Sequence, residues 1–129
     1  MDTVLVDTDV FSYLLKNDTR APLYRKHLDG RRLALCFMTA AELHSWAVER
    51  NWGAKKLDEL RGKLRGYVIL HSDDETTERY AAVRNVKGFP VNVGDAWIAA
   101  TALRHGIPLV THNRKHFEQV PGLVVVSEA

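Results

Sequence analysis

Five short runs punctuate this chain without any polar alternation: Val4-Leu5-Val6, Leu33-Ala34-Leu35-Cys36-Phe37, Val68-Ile69-Leu70, Ile107-Pro108-Leu109-Val110 and Leu123-Val124-Val125-Val126. A strand that is apolar on both faces has to be covered on both faces. Segments with helical spacing of apolar residues separate most of the runs. Parallel neighbours need a crossover long enough to hold a helix, so this alternation specifies a mainly parallel sheet. The expected fold is therefore α/β, three layers deep, with a mainly parallel five-stranded sheet flanked by helices. A length of 129 residues suits one domain over residues 1–129.

The helices are expected as follows. Phe11, Leu14 and Leu15 place one from about residue 9. A break at Asp18-Thr19 precedes a second, which carries Leu23, Tyr24, His27 and Leu28 and closes at Gly30. Residues 39–50 read as a helix with Leu43, Trp46, Ala47 and Arg50 on one stripe. Residues 54–65 form the next, with Leu57, Leu60 and Leu64 on its apolar face. A helix over 73–87, capped by Ser72, and one over 95–104, closed by Gly106, complete the set. Residues 113–117 read as a loop or short turn.

Three carboxylates stand at element boundaries in this scheme. Asp7 ends the first strand, Glu42 lies in the first turn of one helix, and Asp95 opens another. In open parallel sheets, sites form beyond the carboxyl ends of the strands. Acids gathered there have a common use, the holding of hard divalent cations by oxygen. Each acid also has an ordinary rival role. Asp7 and Asp9 can cap the following helix. Thr39 and Glu42 have the spacing of a capping box. Asp95 can complement the helix dipole. Thr111 and Asn113, after the fourth strand, can position a water or a phosphate oxygen, or simply form a polar turn.

Composition limits the alternatives. Lys and Arg total 18 against 16 acids, a formal charge of +2, which permits a polyanionic partner without requiring one. Cys36 is the only cysteine, so no disulfide framework exists, and a reducing cytoplasmic location is expected. No signal-peptide pattern and no apolar run of membrane-spanning length is present. His112 and His116 lack the companions of a zinc site. Trp46 and Trp52 read as packing residues, or as the lining of a groove for a partner segment. Among the basic groups, Arg114-Lys115-His116 adjoins the acids and is the best candidate for phosphate contact.

Four motifs now stand in order: Leu5-Val6-Asp7-Thr8-Asp9, Thr39-Ala40-Ala41-Glu42-Leu43, Asp95-Ala96-Trp97-Ile98-Ala99-Ala100-Thr101-Ala102 and Leu109-Val110-Thr111-His112-Asn113. With the closing stretch from Phe117 to Val124, this order resembles PIN-domain ribonucleases, and within them the VapC-type toxins of bacterial toxin–antitoxin pairs. The resemblance spans nearly the whole chain. It implies a parallel five-stranded sheet, RNA cleavage with Mg²⁺ or Mn²⁺, a homodimer and a cognate antitoxin. It places the metal and catalytic roles on Asp7, Glu42 and Asp95; Asp9, Thr111, Asn113 and His116 are read from their positions as candidate support, and Arg114 and Lys115 as candidate contacts to RNA phosphate. The family often carries a further acid after the fourth strand. Here Asn113 and His116 occupy that segment, which leaves the number of metal ions open. Two other readings stay in play. One is a PIN-like module that binds RNA or antitoxin without cutting. The other is a haloacid-dehalogenase-type phosphatase with Asp7 as nucleophile and Asp9 as acid, though Phe11 stands where that motif wants Thr or Val.

Overall fold

The computed structural model describes residues 2–90 and 92–129. Five strands form one sheet: β1 (Thr3–Val6), β2 (Arg32–Cys36), β3 (Val68–Leu70), β4 (Leu109–Val110) and β5 (Val125–Val126). All four pairings are parallel and the spatial order is β3-β2-β1-β4-β5. Seven helices connect them: α1 (Thr8–Lys16), α2 (Ala21–Leu28), α3 (Phe37–Glu49), α4 (Ala54–Leu64), α5 (Asp74–Arg84), α6 (Val93–His105) and α7 (Arg114–Phe117).

The pleat divides the core into two layers. Leu5, Ala34, Cys36 and Leu109 face α5, α6 and α7, where they meet Val83, Ile98, Ala99 and Phe117. Their neighbours Val4, Val6, Leu35 and Val110 face the other side, against Phe11, Tyr24, Leu43 and Leu60. Each strand is thus apolar on both faces because each face has its own helix layer. The three-layer expectation holds.

The chain runs outward from β1 through β2 to β3, then returns across the sheet to β4 on the other side of β1. That reversal opens a crevice at the carboxyl ends of β1 and β4, the place where ligands bind in such sheets. Asp7 follows β1 and Thr111 follows β4, and the Asp7 amide bonds the Val110 carbonyl at 2.9 Å.

Several boundaries differ from expectation. Strand β2 ends at Cys36 and α3 begins at Phe37, with Cys36 itself as N-cap. An apolar run that continues from strand into helix hides the junction, since Phe37 and Met38 pack on the core as well. Thr39 therefore lies inside the helix, and the Thr39–Glu42 capping box does not form. Helix α6 starts at Val93, capped by Asn92, whose side chain accepts from the Asp95 amide at 3.0 Å. Helix α5 is capped by Asp73, not Ser72, through a capping box with Thr76, and it ends at Arg84. Residues 114–117 form a single helical turn. Gly106, at φ +62°, closes α6 in the left-handed conformation as expected.

Candidate active site

Asp7, Thr8, Asp9, Glu42, Trp46, Asn92, Gly94, Asp95 and Asn113 line an open cleft of about 200 Å³ beyond the carboxyl ends of β1 and β4. The three predicted acids and Asp9 thus come together from three segments of the chain, the start of α1, α3 and the start of α6.

Asp7 is the deepest, at 5% exposure. One oxygen accepts from the Thr8 amide at 2.7 Å and the other from the Thr111 hydroxyl at 2.7 Å. Burial drives its pKa well above the ordinary carboxylate value, and the charges of Asp9 and Asp95 add to the rise. Asp9 is held by the Val10 amide at 2.7 Å and the His112 amide at 3.1 Å. Burial raises its pKa too, against the pull of those two amides. The capping role expected as the rival for Asp7 is real, since it is the N-cap of α1. Its second oxygen nevertheless faces Thr111 across the crevice.

Glu42 projects from the second turn of α3. With no capping box to serve, its Oε1 accepts from the Thr8 hydroxyl at 3.2 Å. Thr8 also shares a hydrogen bond with Thr39 at 2.9 Å, so this threonine ties α1 to α3 under the acids. Burial raises the pKa of Glu42, and Asp95 raises it further. Across the cleft stands Gly94, where an added Cβ would lie 3.7 Å from the Glu42 oxygen.

Asp95 is half-buried in the first turn of α6, and its Oδ2 lies 2.7 Å from His116 Nδ1. Asn113 Nδ2 lies 3.1 Å from the same ring nitrogen. One nitrogen cannot accept from an amide and donate to a carboxylate at once. The shorter contact, to a carboxylate, is the stronger, so a proton on Nδ1 is directed at Asp95.

Among the described residues, no Lys or Arg side chain pairs with these four acids; His116 is the one titratable base that does. Nor are three acidic, histidine or cysteine groups already gathered at the spacing of a metal shell. The carboxylates instead use hydroxyls, amides and an imidazole as partners. The donor set is oxygen-rich and hard, suited to Mg²⁺ or Mn²⁺ and not to a soft metal. Burial and the charge of Asp95 raise the pKa of Asp7, Asp9 and Glu42, and no Lys or Arg among the described residues offsets that charge, so the residues fit a divalent ion. Asp7, Glu42 and Asp95 would share their oxygens between it and their present donors.

The supporting residues divide. Thr111, Asn113, His116 and Asp9 all join the site. Arg114 and Lys115 lie on α7, next to Asn113, and contact none of the acids. Trp46, read from the sequence as a packing residue or as the lining of a partner groove, lines the cleft while its ring packs on the core under the Arg50 guanidinium, 5.0 Å from the centroid. Trp52 does pack as expected. Thr8 and Gly94 were missed because their roles depend on a neighbour from another element; Asn92 was missed because the helix was expected to start at Asp95, although an Asn three residues ahead is itself a capping signal.

Phe11, where the phosphatase motif wants Thr or Val, is buried in the core and offers the cleft no polar group.

The PIN-domain family model matches residues 4–123. The chain belongs to the PIN-domain family. The matched span runs from β1 to the approach to β5 and includes every acid of the cleft. Ribonuclease VapC1 of Haemophilus influenzae is 27% identical over 124 residues, 92% of each chain. The tRNA(fMet)-specific endonuclease VapC of Salmonella typhimurium is 26% identical over 122 residues, again 92% of each. Among solved structures, DNA-bound VapBC from Salmonella typhimurium superposes with a TM-score of 0.82 at 25% identity, over 98% of both chains. VapBC2 from Rickettsia felis, bound to a promoter DNA fragment, gives 0.85 at 20% identity over 98% of this chain and 99% of that one, a likeness of fold. PIN-domain membership accounts for the parallel sheet and for the placement of the acids at its carboxyl edge.

Proposed function

We propose that this chain is an endoribonuclease toxin that cleaves an RNA phosphodiester with Mg²⁺ or Mn²⁺ and is restrained by a cognate antitoxin. The observation that carries the reading is the convergence of Asp7, Asp9, Glu42 and Asp95 on one cleft at the switch point of a PIN-domain sheet. Two relatives that match along 92% of this chain support the substrate class, since one is a ribonuclease VapC1 and the other a tRNA(fMet)-specific endonuclease VapC. The VapBC neighbours, which are toxin–antitoxin complexes, support the antitoxin.

Asp7, Glu42 and Asp95 would hold the cation. When bound, a divalent ion supplies Lewis-acid activation of water and offsets charge on the phosphoryl oxygens. The chain's own residues fix the frame for that chemistry. Thr8 and Thr111 orient Asp7, and Thr8 orients Glu42. Asn92 secures the helical turn that presents Asp95. Glu42 either binds the ion or orients water. Arg114 and Lys115 are placed to meet the RNA backbone on the α7 side. A homodimer belongs to the same proposal.

The test is an RNA cleavage assay of the purified chain with Mg²⁺ or Mn²⁺. Cleavage should stop with EDTA and in Asp7→Asn and Asp95→Asn. Cleavage that survives all three sinks the reading. His116 on Asp95 favours a second reading, a binding module without turnover. That reading requires RNA binding with no product at any Mn²⁺ concentration.

A further inference from the structure

The cleft is braced from behind by a relay, centred on the buried Tyr24, that has no part in the chemistry. Asp9 offers one oxygen to Val10, its own neighbour, and the other to the main-chain N–H of His112 across the sheet. The first bond travels with Asp9 wherever it goes. The second sets how the carboxylate is turned relative to the other acids. The location of residue 112 is therefore what aims Asp9.

Two tyrosines hold the His112 ring. Tyr13 and Tyr24 meet it edge-on, with centroids 5.6 Å and 5.7 Å away. Its Nδ1 shares a short hydrogen bond with the Tyr24 hydroxyl. Tyr24 is fully buried, so its hydroxyl must find partners inside the protein. It takes His112 and the Glu128 amide, which donates to it at 3.1 Å. Glu128 is anchored in turn by His27 at 2.7 Å and Lys26 at 3.5 Å, both from α2. The relay runs from α2 and the segment after β5, through Tyr24 and His112, to Asp9. The same loop supplies Thr111, which grips Asp7.

We propose that Tyr24 and His112 are positioning residues for the acidic cleft, and that the pairing of Glu128 with His27 seats them. The proposal rests on the reading of the cleft as a divalent-cation site. Removing the Tyr24 hydroxyl leaves the His112 ring nitrogen unpartnered and lets the 111–112 loop move, so Thr111 loosens on Asp7, a proposed ligand, and Asp9 loses its aim while the aromatic core stays filled.

The experiment is a Mn²⁺ titration of the intact chain, without RNA, followed by electron paramagnetic resonance. In Tyr24→Phe the Mn²⁺ Kd should rise by about 10-fold, as loosening a partner behind a metal ligand, here Thr111 behind Asp7, typically does. At saturating Mn²⁺ the KM for RNA should be unchanged and kcat lower. A purely structural tyrosine would lower the melting temperature and leave the Mn²⁺ Kd alone, and that result overturns the proposal. Should Tyr24→Phe fail to fold, Glu128→Ala, at the outer end of the relay, takes its place. A weakened Mn²⁺ Kd supports the relay and an unchanged one overturns it. A wild-type chain that binds Mn²⁺ but cuts no RNA defeats the ribonuclease reading and leaves the Tyr24 result standing. A wild-type chain that binds no Mn²⁺ defeats both.

Discussion

Asp7 carries its charge at a place where burial and two neighbouring acids oppose it. Its folded pKa lies above the unfolded value. The stability tied to that group is therefore fully present below the ordinary carboxylate pKa, and it is lost as pH rises toward the folded value. Asp7→Asn removes the penalty. The metal-free variant should melt higher than wild type at pH 7, with the gap closing below the ordinary carboxylate range, as thermal scans across pH would show. Its cleavage rate should fall by more than the about 10–100-fold that loss of an outer partner costs. Stability and activity then move in opposite directions, the mark of a residue kept for function. Sequence alone could nominate Asp7 and Asp95 from their places at element boundaries. It could not weigh Glu42, because Thr39 and Glu42 have the spacing of a capping box. The helix starts two residues before Thr39, which frees Glu42 and gives Thr39 to Thr8. Nor could it find Thr8 or Tyr24, whose partners lie 31 and 88 residues away along the chain.

Helix α6 presents Asp95 on a turn whose free amides are capped by Asn92. Asn92→Ala should cost about 1 kcal/mol, the usual value of an N-cap, in urea denaturation. It should also lower cleavage, because the turn that frays is the one carrying Asp95. Helix α5 packs along α6 and is tied to it by Arg104, which bonds Asp73 at 3.0 Å and 3.1 Å. That guanidinium, with the Thr76 amide and hydroxyl, holds the Asp73 carboxyl well below the ordinary range. A depressed folded pKa contributes stability above the unfolded pKa and loses it as pH falls. Asp73→Asn can still cap the helix but cannot form the ion pair. Wild type should therefore lose more melting temperature than the variant between pH 7 and pH 3. Elements of this kind were legible from periodicity, and their ends were not. The 33–37 run crosses from β2 into α3 without a polar residue, and Ser72-Asp73-Asp74 offers three capping side chains in a row. Which of them caps depends on where Arg104 and Thr76 stand.

At the scale of the whole molecule, metal binding should be a stability effect as well as a catalytic one. A cation that binds only the native cleft stabilises it by about 2.7 kcal/mol at 100 times its Kd. Mn²⁺ should raise the thermal midpoint of wild type, and EDTA should reverse the rise. Asp95→Asn should blunt it. Light scattering should give a mass twice that of one chain; a mass of one chain refutes the dimer. No described helix is long and apolar enough to cross a membrane. The five apolar runs and the helical stretches between them determined the layer architecture, since apolar residues on both faces of a strand leave no other way to exclude water. The motifs from Asp7 to Asn113 pointed to the PIN-domain family by their order. Only the tertiary structure decided which oxygens meet. Strand order β3-β2-β1-β4-β5 brings Thr111 beside Asp7, His112 behind Asp9 and His116 onto Asp95. Those contacts are long-range pairings set by crossovers, and a linear pattern of hydrophobicity carries no record of which strand returns beside which.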